Sequence, residues 1–283
     1  MKFKLGKKAE DVEMSFLDHL EALRWHIIRS LVAVVVFSVV AFINKHFLFD
    51  TVFLGPFHID FWTYRKFCEL GHLMGSGDDA CIKTMGFKLI NTQMAGQFNQ
   101  HISMSITVGL VMAFPYASWE FWRFFRPALN SKEKKYTRGL VGACSALFMV
   151  GILFGYYGIT PITLQFLGTY SLSDSIVNTI QISDYIDTVT MTTISIAITF
   201  ELPIVVYFLS KAGILTPTVM RTYRKHAIVI ILILAAVITP TTDMLTMTLV
   251  AIPFYALYEA SIFVSYIVAR NKRKKEAYED SIS

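Results

Sequence analysis

The sequence predicts an all-α fold: a polytopic membrane protein of six transmembrane helices in a bent, cup-shaped bundle, with both termini cytoplasmic. Three observations carry that reading. Of 283 residues, 54% are hydrophobic and only 17% charged, against roughly 25% charged in soluble domains, and mean hydropathy is +0.50. Apolar runs long enough to cross a hydrocarbon core of about 30 Å recur along the chain. Basic residues gather in alternate connections between those runs. The same composition excludes a disordered chain and, with 3 cysteines, a disulfide-rich mini-protein, and it argues against a soluble enzyme. The net charge of +5 sits in clusters beside apolar runs, with no continuous stripe to bind nucleic acid.

Residues 1–24 form a cytoplasmic N-terminal segment ending in an amphipathic helix start. Lys2, Lys4, Lys7 and Lys8 precede the first apolar run, as in a cleaved leader. Intervening acids, Arg24, the length of the run and the lack of a small-residue cleavage site favour a retained span. The membrane domain covers 25–268. Its spans run from Trp25 to Ile43, then from about Ile102 to Trp119, Leu140 to Ile159, Val189 to Leu209, Ala227 to Ile238 and Leu245 to Val268. The first outer loop covers about 44–98, and 269–283 is a charged cytoplasmic tail that anchors topology beside anionic lipid. Five of the 26 basic residues (Lys45, Arg65, Lys66, Lys83 and Lys88) fall on the outer side, which sets the orientation. No internal repeat relates the two halves, which weakens an inverted-repeat transporter.

Carboxylates inside a membrane cost about 2.5–3.5 kcal/mol each at a helix centre, so they face protein or water. Glu201 lies mid-span, two residues before Pro203, which frees a carbonyl and bends the helix. Glu259 follows Pro253 by six residues. Asp243 sits at the outer edge, where capping the sixth span and a functional role are both open. The fifth span covers only about 18 Å as helix. A short span among proline-bent helices implies a cup that thins the bilayer.

The outer loop is aromatic-rich and carries Cys68 and Cys81. On an oxidising side these either close a disulfide worth roughly 3 kcal/mol or remain free thiols. Cys144 reads as a small packing residue in the third span, and His19 and His26 as structural residues flanking the first helix start. Histidines at zinc-ligand spacing, a Walker motif and a nucleophile elbow are not found, so the reading names no metal, no cofactor and no catalytic residue.

Four blocks in order carry a family resemblance over about Met14 to Arg270: FLDHLEALRWHI, WEFWRFFRPALNSKEKK, FELP and TPTTDMLTMTLVAIPFYALYE. They resemble the signatures of the TatC subunit of the twin-arginine protein translocase. The resemblance implies a cell inner (cytoplasmic) membrane receptor for signal peptides bearing paired arginines. Such a receptor works with single-span TatA- and TatB-type subunits, as an oligomer, to export folded proteins on the proton-motive force. It implies signal-peptide contacts from Glu133 and Phe124, with Pro127 as the turn between them, and from Leu20, Glu21 and Arg24 in the first-helix signature. It implies cavity or partner-docking roles for Glu201, Asp243, Thr246, Met247, Glu259 and Pro56, the last matching the proline of the first outer loop.

The chemistry is consistent with that implication. Guanidinium groups pair with carboxylates through charge-assisted, often bidentate hydrogen bonds. Glu133 is the only acid in NSKEKK, though it could also serve as a solvated partner of Lys132 or Lys134. An exposed pair is worth only about 0–1 kcal/mol, so affinity must come from the signal's apolar segment, with carboxylates discriminating. Phe124 supports either contact, or lies in an interfacial belt beside Trp119 and Trp122. Two departures stand out. Ala22 occupies the family's first-helix glutamate position, with Glu21 displaced by about 100° around the helix, and Met247 replaces a common glutamine beside Thr246 and Thr248. The rival is an ion-coupled transporter of a small solute using Glu201 and Glu259.

Overall fold

A computed structural model describes residues 16–75, 81–82, 84–125, 137–173, 177–239 and 244–280. The elements are α1 (Phe16–Ile43), α2 (Trp62–Leu73), β1 (Lys88–Ile90), α3 (Gly96–Phe125), α4 (Thr137–Leu153), α5 (Thr160–Thr169), β2 (Thr179–Gln181), α6 (Ile182–Thr199), α7 (Leu202–Lys211), α8 (Pro217–Thr222), α9 (Arg224–Ile238) and α10 (Met244–Asp280). A π-helical segment, Phe154–Ile159, joins α4 to α5. Five stretches are long and apolar enough to cross a membrane: Leu20–Ile43, Gly96–Phe124, Gly139–Thr169, Ile182–Lys211 and Thr246–Lys274. The short run expected at 227–238 lies in α9, whose 15 residues cover about 22 Å and fall short of that length. Helices overrun the expected spans because polar first and last turns continue them: α3 runs from Gly96 to Phe125 where Ile102 to Trp119 was predicted.

Close backbone contact organises the bundle. Gly109 of α3 meets Ser38 of α1, where an added Cβ would collide with the serine hydroxyl and stand 2.8 Å from its Cα. Gly151 of α4 meets Ala197 of α6, with 2.6 Å left to that Cα. Small residues allow such approach where lipid supplies no hydrophobic drive. The remaining faces of α1 and α9 are apolar and exposed, through Val35, Val39, Val229 and Ile233 among others.

The long connection between α1 and α3, expected on the outer side, is not a plain loop. A π-helical turn (Phe47–Phe53), a 3₁₀ turn (Gly55–Phe57) and α2 fold it back onto the bundle, and β1 pairs in parallel with β2 from the connection between α5 and α6. That strand pair is a small addition to the predicted all-α architecture. Three tyrosine hydroxyls tie the cap down, the first two from buried residues: Tyr64 to Pro56 O at 2.8 Å, Tyr185 to Phe53 O at 2.8 Å and the half-buried Tyr156 to Val52 O at 2.5 Å. Burial pushes the Tyr64 hydroxyl well above its usual range, which keeps it a donor. Cys68 and Cys81 are joined by a disulfide spanning 13 residues.

Two stability predictions follow from this packing. Gly109→Val should lower the melting temperature of the purified full chain by the equivalent of about 1–3 kcal/mol. Reducing the Cys68–Cys81 bridge should cost about 3 kcal/mol on the same readout.

Candidate functional site

Pro203 is the second residue of α7 and has no N–H to give to Thr199 one turn back. The continuous helix expected over 189–209 therefore breaks at Phe200 and Glu201. The Glu201 N–H turns instead to Ile198 O at 3.0 Å. α7 then runs to Lys211 and stops at Gly213 with φ +81°, where the Ile214 N–H reaches Leu209 O at 2.9 Å. The break aims the Glu201 side chain into an apolar recess of about 860 Å³ between α3, α4 and α7. Ser118, Trp122, Cys144, Val205 and Phe208 line it, and Lys211 stands in its wall.

The Cys144 thiol donates to Glu201 Oε2 at 3.1 Å, and its sulfur lies 3.8 Å from Ser118 Oγ. Glu201 Oε1 is buried without a hydrogen-bond partner among the described residues. The recess therefore offers an acceptor inside apolar walls, which suits an apolar segment carrying one hydrogen-bond donor. Cys144, read from the sequence as packing, is the acid's hydrogen-bond donor.

A second carboxylate, Glu120 of α3, escaped the sequence reading. It is 2% exposed. His26 Nδ1 of α1 lies 2.5 Å from Glu120 Oε2, and the Tyr116 hydroxyl donates to Oε1 at 3.1 Å. Arg29 and Arg123 stand at 3.9 and 3.8 Å. The available signal was an acid one helical turn before Phe124, with histidine and arginine on the neighbouring span. Phe124 lies in the last turn of α3, 8% exposed, with its ring edge-on to His26 at 6.1 Å. The residue expected as a loop aromatic thus belongs to the last turn of α3, with its ring buried.

The other candidates divide clearly. Leu20, Glu21 and Arg24 are exposed on the first turns of α1, while Ala22 is half-buried, so the offset holds Glu21 off the face Ala22 presents. Glu133, Pro127 and Asp243 lie outside the described residues. Glu259 is corrected as a partner of Glu201: it pairs with Arg224 at 2.7 Å, accepts from Tyr255 at 3.0 Å, and is not among the recess residues. Thr246 is 1% exposed and Met247 packs against the core around Ile159 and Phe254, so helix packing takes the surface expected for docking. Pro56 is buried beneath the Tyr64 hydroxyl. Cys68, His72 and Cys81 bring three potential ligand atoms within 4.8 Å, but the disulfide occupies both sulfurs.

Comparison with known proteins gives a consistent result. The sequence model of the family described as Sec-independent protein translocase protein (TatC) matches residues 18–253. A protein of Blattabacterium sp. subsp. Periplaneta americana, named Sec-independent protein translocase protein TatC, is 38% identical over 266 residues, covering 94% of this chain and 100% of its own length. One of the same name from Aquifex aeolicus is 31% identical, covering 92% and 98%. A solved structure described as the twin arginine translocase receptor TatC superposes with a TM-score of 0.66 at 31% identity, over 89% of this chain and 99% of that one.

The pairing of Cys144 with Glu201 is open to test by substitution. Cys144→Ser should leave thermal stability near that of the parent, whereas Cys144→Leu should lower it by about 1–3 kcal/mol, because Glu201 Oε2 loses its side-chain donor.

Proposed function

The chain belongs to the TatC family of Sec-independent protein translocase proteins, and on that premise we propose that it is the membrane receptor for paired-arginine signal peptides. In this reading it is also the core subunit of a translocase that exports folded proteins on the proton-motive force. In this reading the chain crosses the cell inner membrane six times, counting α9, with both termini in the cytoplasm. The distribution of basic residues supports that orientation. In this reading Glu133, helped by Glu21 of the first helix, receives the two guanidiniums. The signal's apolar segment supplies most of the affinity by packing on the bundle.

The observation that carries the reading furthest is the recess at Glu201. A carboxylate held mid-span in apolar walls, with one oxygen unsatisfied, fits an apolar helix bearing a single polar group. In this reading the occupant is the membrane helix of a single-span TatA- or TatB-type partner. The rival transporter uses Glu201 and Glu259 as proton sites, whereas Glu259 is paired with Arg224 outside the recess.

Photo-crosslinking in membrane vesicles tests recognition. An Arg-Arg signal peptide should label the protein at least tenfold more than its Lys-Lys version, and Glu133→Ala should reduce the difference. Equal labelling of both peptides overturns the receptor reading. In the same vesicles Glu201→Ala should preserve labelling but reduce export of a folded cargo, while Glu259→Gln should leave export within about twofold of the parent, because an exposed pair contributes about 0–1 kcal/mol.

A further inference from the structure

We infer that Glu120 and His26 are positioning residues for signal recognition: together they fix Phe124 and the final turn of α3. The inference rests on the receptor reading above and adds residues that none of the four signature blocks assigns a role. A buried carboxylate needs a reason, since desolvating it costs several kcal/mol unless partners are well placed. Gluing α1 to α3 is not that reason. The two helices already touch backbone to backbone at Gly109 and Ser38, three turns away or about 16 Å, where no charge is needed. An apolar pair of similar volume would hold the helices at least as well.

What the charged pair adds is direction. Glu120 is held by two partners, His26 Nδ1 on the neighbouring helix at 2.5 Å and the Tyr116 hydroxyl on its own helix at 3.1 Å. That fixes the imidazole, and the imidazole presents its ring to the edge of Phe124, four residues beyond Glu120 and therefore one turn further along the same face. Arg29 and Arg123, about half exposed, stand beyond hydrogen-bond distance of the same carboxylate. Phe124, being buried, acts by holding the end of α3 in one orientation.

The test uses the full chain in vesicles with its partner subunits and the Arg-Arg and Lys-Lys signal peptides as probes. Folded receptor is counted by the fraction with the Cys68–Cys81 bridge closed and by the melting temperature after extraction. Glu120→Ala and His26→Ala should each lower Arg-Arg crosslinking per folded receptor about tenfold and bring the Arg-Arg to Lys-Lys ratio towards one. Their combination should be no worse than either alone. Glu120→Gln keeps the shape and one bond to each partner, and should retain at least half the parent's crosslinking. The inference is overturned if both alanine variants keep the parent's ratio per folded receptor, or if Glu120→Gln falls as far as Glu120→Ala, which would assign the effect to charge. Glu133→Ala separates the two levels: loss with Glu133→Ala but not with Glu120→Ala or His26→Ala sinks this inference alone, whereas no loss in any variant sinks the receptor reading with it.

Discussion

A helix crossing hydrocarbon must satisfy its own backbone, and Pro203 prevents α6 and α7 from doing so as one rod. Much of the architecture answers that constraint. The break at Phe200 and Glu201 is tolerable because it lies inside protein. α4 closes on α6 through Gly151, and α10 backs α7 through the Ser210 to Ser265 hydrogen bond at 2.8 Å. Sheltering the break leaves a concavity on the opposite face, and the carboxylate beside the proline falls into it. Recess and acid are thus two consequences of one interruption.

The outer cap and the short α9 follow from the same need to hide polar groups where the apolar span is not long enough. Tyrosine hydroxyls take up the carbonyls of Val52, Phe53 and Pro56 that the tight turns leave without helical donors. Phe57 and Phe61 pack edge-on against Tyr185 and Tyr156, and Phe87 lies tilted beside Tyr185. The disulfide closes the loop beyond that cluster. The bundle thus carries a cap tied by hydrogen bonds and a disulfide, and a hollow beside the broken helix.

Much of this was legible in the sequence. Apolar runs gave the long helices, because hydrocarbon thickness leaves few alternatives, and Glu201 beside Pro203 stood out as an acid where none is tolerated without purpose. The signature blocks led to the family that the comparisons then supplied. What was not legible depends on side chains meeting across helices. Glu259 looked like a second membrane acid until Arg224, 35 residues away, reached it. Thr246 and Met247 were expected to dock a partner through the family resemblance alone, and what they face was not legible because helical rotation cannot be read from a run that is apolar all round. Glu120 was overlooked because its partner His26 lies 94 residues away and its own neighbours read as an aromatic belt. The strand pair escaped because three-residue strands carry no periodicity.

The central claim is that the hollow beside Glu201 receives an apolar helix from a partner subunit. A photo-reactive residue placed at Phe208, in the recess wall, measures this directly in membranes carrying the assembled translocase. The account predicts an adduct with a single-span partner that vanishes when Glu201 becomes Ala, with no matching loss from a probe at the lipid-facing Val229. Adducts with lipid alone at Phe208, or partner adducts unchanged by the loss of the carboxylate, would contradict it.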